Sequence, residues 1–327
     1  MLLNIILLLI GFVLLIKWAD LLVEGGSSVA TKLWVSALVI GLTIVAFWTS
    51  APEFIVSMLS ASSWESDLAI SNILGSNISN ILLILGTTAV IFPVVLPIST
   101  IKKEIPFLVW ISLLLIALLW DGVIWWFDWA ILLFFFVCFI AYSYITWKKG
   151  SQERASAVDD PKQPEVQDLE EKKSMSTMKA SIFIILWLAW LIIGGQLIVD
   201  NAVEIAESFG LSKAFIGVTI VAIGTSLPEL AASVIAAIKK QTDMAVGWVV
   251  GSNVFNTLWI GWATSVFFPI NAYTWITVDL TINSIAAVLL LLTAYVYTKW
   301  RISRLEWVLF LGLYFSYIGY LVYGVMS

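Results

Sequence analysis

Long apolar segments follow one another along most of this chain, and they limit its fold more than any other feature. Ten of them are close to the length of about 20 residues that a helix needs to cross a bilayer. They span 2–23, 35–61, 68–92, 105–120, 124–147, 177–199, 211–238, 244–268, 276–297 and 305–325. Hydrophobic residues make up 61% of the 327 positions, and charged residues only 12%. The sequence therefore predicts an all-α integral membrane protein with ten transmembrane helices.

The longest polar segment, 148–176, predicts a solvated linker between two halves, 1–147 and 177–327. Positive charge collects on the cytoplasmic side of membrane proteins. With the linker in the cytoplasm and both termini outside, 15 of the 17 lysines and arginines face the cytoplasm, and only Lys17 and Lys213 do not. We therefore expect this orientation in the plasma (inner) membrane.

A sequence repeat relates the two halves. The segment GLTIVAFWTSAPE at 41–53 returns as GVTIVAIGTSLPE at 217–229, and DLAISNILGSNISN at 67–80 matches DMAVGWVVGSNVFN at 243–256. The offset is 176 residues without a gap, and the two signatures cover 41–93 and 217–269. Five predicted spans separate the copies, and an odd number inverts the second copy in the membrane. Inverted repeats are an architecture of secondary transporters, whose site lies at the midplane between the halves.

Each copy contains a Thr-Ser-x-Pro-Glu motif that gathers oxygen ligands on one helical face. Its proline lacks a backbone donor and predicts a bend with a loosened carbonyl group. A second motif, Gly-Ser-Asn-x-x-Asn, places a hydroxyl and an amide four residues apart. Together the motifs predict a metal site formed by Glu53, Glu229, Thr49, Ser50, Thr225, Ser226, Ser76, Asn80, Ser252 and Asn256. These hard oxygen donors suit Ca²⁺ and Na⁺.

A purely structural role is the alternative for these polar residues. Hydrogen bonding between helices is the better explanation for isolated serines and threonines, whereas for the asparagines a structural role and a ligand role are about equally good explanations. A buried acid is different, because an uncompensated carboxylate at the bilayer centre costs about 2.5–3.5 kcal/mol or more and usually marks a transport pathway. No lysine or arginine lies in the matching segments 41–53, 67–80, 217–229 and 243–256, so we expect cations from solution to balance Glu53 and Glu229.

At these residues the sequence resembles the sodium/calcium exchanger family of the cation/calcium antiporter superfamily, in its bacterial and archaeal ten-helix form. The resemblance covers essentially the whole chain. It implies that Glu53 and Glu229 ligate Ca²⁺ and share the Na⁺ sites, with the hydroxyl and amide residues named above as further ligands. Two positions depart from the family: Asn256, where some members have aspartate, and Trp48, where the family has glycine.

The resemblance implies Ca²⁺/Na⁺ antiport by alternating access. Ca²⁺/H⁺ antiport stays open, because two glutamates could carry protons, and a cation channel is a rival of a different class. With no histidine and a single cysteine, Cys138, the chain lacks the common zinc and haem ligands, and we expect neither an enzyme nor a permanently bound cofactor. The expected partners are membrane lipid, Ca²⁺ and Na⁺ (or H⁺), with no nucleic acid and no obligate protein partner.

Tryptophan is unusually frequent, with 18 residues. At the 176-residue offset, five tryptophans pair with glycines. They are Trp18, Trp34, Trp48, Trp187 and Trp262. The two residues are the largest and the smallest, so a physical reason for this pairing is hard to find. We hypothesise that UGA codons were written as tryptophan although the source reads them as glycine.

Overall fold

Helices form most of the structure, a computed structural model that describes residues 1–32, 36–62, 66–92, 94, 96–125, 127–158, 177–210, 222–268, 270–271, 276–297 and 304–326. One antiparallel pair, β1 (Val123–Ile124) with β2 (Ile270–Asn271), corrects the all-helical prediction in detail. Such short pairs satisfy backbone groups in the connections between helices. Residues 159–176 of the predicted linker and 211–221 of the predicted seventh span lie outside the described ranges.

The helices of the first half follow the predicted spans with breaks at the motif residues. In chain order they are α1 (Leu2–Lys32), α2 (Ala37–Ile40), the π-helix π1 (Gly41–Val45), α3 (Ala46–Thr49), α4 (Ala51–Ser62), α5 (Ser66–Ile78), π2 (Ser79–Leu85), α6 (Gly86–Ile91), π3 (Thr100–Glu104), α7 (Ile105–Leu118) and α8 (Asp128–Val158).

The second half repeats this order over the residues that are described, except that a π-helix follows α14, whereas π3 precedes α7. Its helices are α9 (Thr177–Ser208), α10 (Ala222–Gly224), α11 (Leu227–Ile238), α12 (Thr242–Val254), π4 (Phe255–Ile260), α13 (Gly261–Phe267), α14 (Ile276–Leu292), π5 (Thr293–Tyr297) and α15 (Arg304–Met326). The segments π2 and π4 begin 176 residues apart, and each directly follows a Gly-Ser-Asn motif. A π-helical segment is rare and often lies at a functional site, because it re-aims the side chains of its helix.

Five helical stretches in the described part of the chain are long and apolar enough to cross a membrane. They are Leu2–Gly25, Leu68–Ile91, Asp128–Lys149, Ile276–Tyr295 and Glu306–Gly324. Each corresponds to one of the ten predicted spans, and the chain is an integral membrane protein. The other five predicted spans are not among these stretches, so the count of ten stays a prediction.

Glycines allow the central helices to approach closely. A Cβ atom on Gly11 of α1 would lie 2.9 Å from the carbonyl oxygen of Gly194 on α9. On α12, Cβ atoms on Gly247 and Gly251 would each lie 2.5 Å from a carbonyl oxygen of the α2–π1 segment. Small residues at such contacts let helix backbones pack against each other in membranes. The α12 backbone is therefore held directly against the helix that leads to Thr49.

Polar side chains tie the periphery of the bundle together. Tyr142 donates a hydrogen bond to the buried Glu104, and Tyr317 donates one of 2.9 Å to the buried Asp279. In each pair the acid and the tyrosine are 38 residues apart in the sequence, and the bond joins the fourth and fifth predicted spans of that half or their ends. Lys239 at the end of α11 forms a 2.8 Å ion pair with Asp20 of α1. The two acid–tyrosine pairs therefore join π3 to α8 and α14 to α15, and the ion pair joins α1 to the end of the helix that contains Glu229.

Candidate functional site

Two buried glutamates lie at the centre of the site. Glu53 is 0% exposed and Glu229 is 2% exposed, and each is in the first turn of its helix, α4 or α11. The prolines before them, Pro52 and Pro228, begin new helices instead of bending continuous ones, because proline fits the first turn, where its missing N–H has no helical partner. The positive end of the helix dipole therefore faces each carboxylate.

The two carboxyl groups, 176 positions apart in the sequence, lie close enough to interact electrostatically. The ion pairs in the described part of the chain join Lys239 to Asp20 and to Glu24, and none involves Glu53 or Glu229. Two like charges in a site without water are strongly unfavourable unless cations or protons compensate them. The fold therefore concentrates negative charge at a point that has no protein counter-charge among the described residues.

Serine and threonine hydroxyls from both halves surround the carboxylates. Ser76 donates a hydrogen bond of 3.5 Å to Glu53 Oε1. The Ser252 hydroxyl lies 3.0 Å from the Ser50 hydroxyl and 3.5 Å from that of Thr49. The Thr49 hydroxyl also donates to the backbone carbonyls of Val45 and Ala46, 3.1 and 3.3 Å away. The first motif of one half thus meets the second motif of the other.

The two predicted asparagines present their amide oxygens in the same way. Asn80 uses its amide nitrogen to donate a 2.8 Å hydrogen bond to Asn253 Oδ1, and Asn256 uses its own to donate one of 3.2 Å to Ser76 Oγ. With both nitrogens engaged by protein, both Oδ1 atoms are left as acceptors. Each amide group is therefore oriented as an oxygen ligand.

Several buried oxygen atoms of the predicted residues have no hydrogen-bond donor among the described residues. They are Glu53 Oε2, Glu229 Oε2, Asn80 Oδ1, Asn256 Oδ1 and Ser226 Oγ. A buried acceptor without a partner typically costs about 1–3 kcal/mol, so a fold retains several of them together where a ligand supplies the missing interaction. Carboxylate, amide and hydroxyl oxygens are ligands for hard cations such as Ca²⁺. The remaining predicted residue, Thr225, lies half-buried in the turn before α11.

Sequence reasoning missed four residues that support the ligands. Asn253 also donates a 3.2 Å hydrogen bond to the Asn77 carbonyl, and Asn77 donates one of 2.8 Å to Thr257. The repetition of both asparagines in the Gly-Ser-Asn motif was an available signal for them. Asn72 and Trp248 also contact the site residues. They lie at equivalent positions of the two repeats, but the residue type differs, so the repeat gave no indication of either.

Comparison with known proteins relates both halves of the chain to one family. The model of the sodium/calcium exchanger protein family matches residues 3–145 and 179–323. The sodium/calcium exchanger MaX1 of Methanosarcina acetivorans is 30% identical over 98% of this chain and 99% of its own length. The inner membrane protein YrbG of Escherichia coli is 34% identical over 78% of the chain and 77% of its own length.

Among solved structures, the sodium-calcium exchanger NCX_Mj soaked with Na⁺ and Ca²⁺ superposes with a TM-score of 0.81. It is 30% identical, and the match covers 97% of this chain and 98% of that protein. A family match over both halves, together with a relative aligned along nearly its full length, establishes the relationship. The chain is a membrane antiporter of the cation/calcium type and belongs to the sodium/calcium exchanger protein family.

Proposed function

We propose that this protein exchanges Ca²⁺ for Na⁺ across the membrane by alternating access. The observation that carries the proposal is the set of unpaired buried oxygens around Glu53 and Glu229, which both halves contribute. Two formal negative charges balance one Ca²⁺, and the neutral amides and hydroxyls complete its oxygen shell. We assign the ligand roles to the ten predicted residues, with the glutamates as the charged ligands.

The neutral ligands favour Na⁺ over H⁺ as the counter-ion. A proton is bound by one carboxylate oxygen and needs no further ligand, whereas a sodium ion needs several oxygen atoms around it. Asn80 and Asn256 both have their nitrogens engaged and their oxygens unpaired, which suits a metal cation and gives no advantage to a proton. The name of the relative MaX1 and the soaked ions of NCX_Mj support the same choice.

The architecture that we propose for this exchange has ten transmembrane helices in two inverted five-helix repeats, 1–147 and 177–327. The linker 148–176 lies in the cytoplasm and both termini lie outside. The helices α1 and α9, each the first of its half, pack against each other through Gly11 and Gly194. Contact between the equivalent helices of the two repeats supports a pseudo-twofold arrangement. Attachment of a cysteine-specific impermeant label to single cysteines placed at 160 and at 2 checks this orientation.

Proteoliposomes containing the purified protein test the function. Vesicles loaded with Na⁺ and diluted into Na⁺-free buffer with ⁴⁵Ca²⁺ are expected to accumulate the label, and the uptake should stop when the Na⁺ gradient is abolished. A pH gradient without Na⁺ should drive little uptake. Uptake with the pH gradient alone would instead establish Ca²⁺/H⁺ exchange, and Ca²⁺ flux without any counter-ion would contradict antiport.

A further inference from the structure

The two sequence repeats differ at one buried position beside the site. Asn72 on α5 and Trp248 on α12 occupy the same place in the repeat, four residues before Ser76 and Ser252 respectively. The Gly-Ser-Asn-x-x-Asn motif that follows each position is the same in both copies. A substitution between residues so different in size and chemistry implies that the two positions perform different tasks.

In the first half, Asn72 holds the helix of Glu53. Its amide nitrogen donates hydrogen bonds of 3.0 Å to the backbone carbonyl of Glu53 and 2.9 Å to the Ser57 hydroxyl. In the second half, Ser233 is the repeat equivalent of Ser57, and its buried hydroxyl has no partner in the described structure. The bond that Asn72 makes is therefore missing at the corresponding place beside Glu229.

Trp248 contacts the opposite repeat instead. It is 0% exposed, and its indole Nε1 donates a 2.7 Å hydrogen bond to Thr49 Oγ1. The Trp248 backbone packs tightly against the facing segment, since a Cβ atom on Gly41 would lie 2.9 Å from the Trp248 backbone nitrogen. The backbone therefore cannot shift easily. The indole N–H is thus held at a fixed point next to a predicted ligand.

The hydrogen bond changes what Thr49 can do. A hydroxyl has one proton and two lone pairs. The indole N–H occupies one lone pair, and the proton is shared between the backbone carbonyls of Val45 and Ala46, 3.1 and 3.3 Å away. One lone pair is left for a cation, and its direction is set by the tryptophan.

We propose that Trp248 is a positioning residue for the cation site: it fixes the Thr49 hydroxyl from the opposite repeat and so sets the direction of that ligand. The two half-sites are consequently held in different ways, with Glu53 tethered by Asn72 and Thr49 tethered by Trp248. This inference rests on the proposed function, because it assigns Trp248 a role in cation binding. It adds a residue that neither repeat motif contains.

Replacing Trp248 by phenylalanine keeps an aromatic ring and removes the N–H donor. We expect the KM for Ca²⁺ to rise about three- to tenfold, the range for one lost hydrogen bond, with turnover at saturating Ca²⁺ within twofold of the original. Trp307→Phe is the matched control. Trp307 is also fully buried, and its indole nitrogen has no partner among the described residues, so this change should leave the KM unaltered.

A double-mutant cycle with Thr49→Val separates positioning from packing. If Trp248 acts through the Thr49 hydroxyl, Trp248→Phe will weaken Ca²⁺ binding in the original protein and will not weaken it further beside Thr49→Val. An equal loss in both backgrounds would assign Trp248 to packing and overturn the proposal, as would an unchanged KM. If the phenylalanine variant does not fold, benzothienylalanine at position 248 provides the same test, since it has sulfur in place of the N–H in a ring of nearly equal size.

Uptake by the unmodified protein in the same assay distinguishes the two levels of inference. Absence of Na⁺-driven ⁴⁵Ca²⁺ uptake in the unmodified protein would overturn the proposed function itself. Normal uptake there, combined with an unaffected Trp248→Phe variant, would overturn only the positioning role.

Discussion

Replacing Glu53 or Glu229 with glutamine removes one formal charge from the site while keeping a side chain of nearly the same shape. Both carboxylates are buried, so water does not screen their interaction with a bound cation. Removing one partner from a buried, charged pair typically costs about 3–5 kcal/mol. That range corresponds to a loss of about 150- to 5,000-fold in Ca²⁺ affinity. Each single variant is therefore expected to show no uptake at micromolar Ca²⁺.

The assay is Na⁺-driven ⁴⁵Ca²⁺ uptake into proteoliposomes over a Ca²⁺ range that extends to millimolar concentrations. Glu204→Gln is the matched control, because this glutamate is exposed on α9 and accepts a hydrogen bond from Asn4. Its uptake should equal that of the unmodified protein. A KM within about threefold of the original for either site variant would show that the carboxylate is structural, and it would refute the assignment of charged ligands.

Three further changes test other parts of the structure. Asn253→Ala removes the acceptor that orients the Asn80 amide, so we expect about a five- to tenfold higher KM for Ca²⁺ in the same assay; an unchanged KM would mean that this amide is oriented otherwise. Tyr317→Phe leaves the buried Asp279 without its tyrosine donor, and thermal unfolding in detergent should show a loss of about 1–3 kcal/mol, with Ca²⁺ affinity unaltered; an unchanged melting temperature would contradict a stabilising role. Trp48→Gly should transport better than the sequence as written. The coding sequence decides that hypothesis directly, since UGG would reject it and UGA would support it at each of the positions 18, 34, 48, 187 and 262.

Gly224, the repeat equivalent of Trp48, bears on the tryptophan hypothesis. Trp34 lies outside the described residues, and nothing is described of the side chains of Trp48 and Trp187. A Cβ atom on Gly224 would lie 2.2 Å from a methyl carbon of Val199. A side chain at this position in the second half would require Val199 to move. The contact supports glycine as the residue for which this place in the repeat is built.

Local sequence was sufficient to predict the helical character of the fold and to propose the residues of the candidate site. Segment length and composition decide whether a helix is stable in lipid, and both can be read without tertiary contacts. The repeated motifs identified Glu53 and Glu229 because an acid within an apolar span is costly wherever the chain folds. The breaks before these residues were less predictable, since proline bends a helix or begins one depending on the packing around it.

Only the tertiary structure decided which groups meet. Thr49 and Ser252 are 203 residues apart, and Asn80 and Asn253 are 173 apart, so their contacts depend on how the two halves pack. The direction of an amide group depends on its partners, and only the folded chain shows that both ligand asparagines present oxygen. Trp248 is the clearest case. Its sequence context predicts another buried aromatic residue, whereas the close backbone contact at Gly41 brings its N–H to the Thr49 hydroxyl.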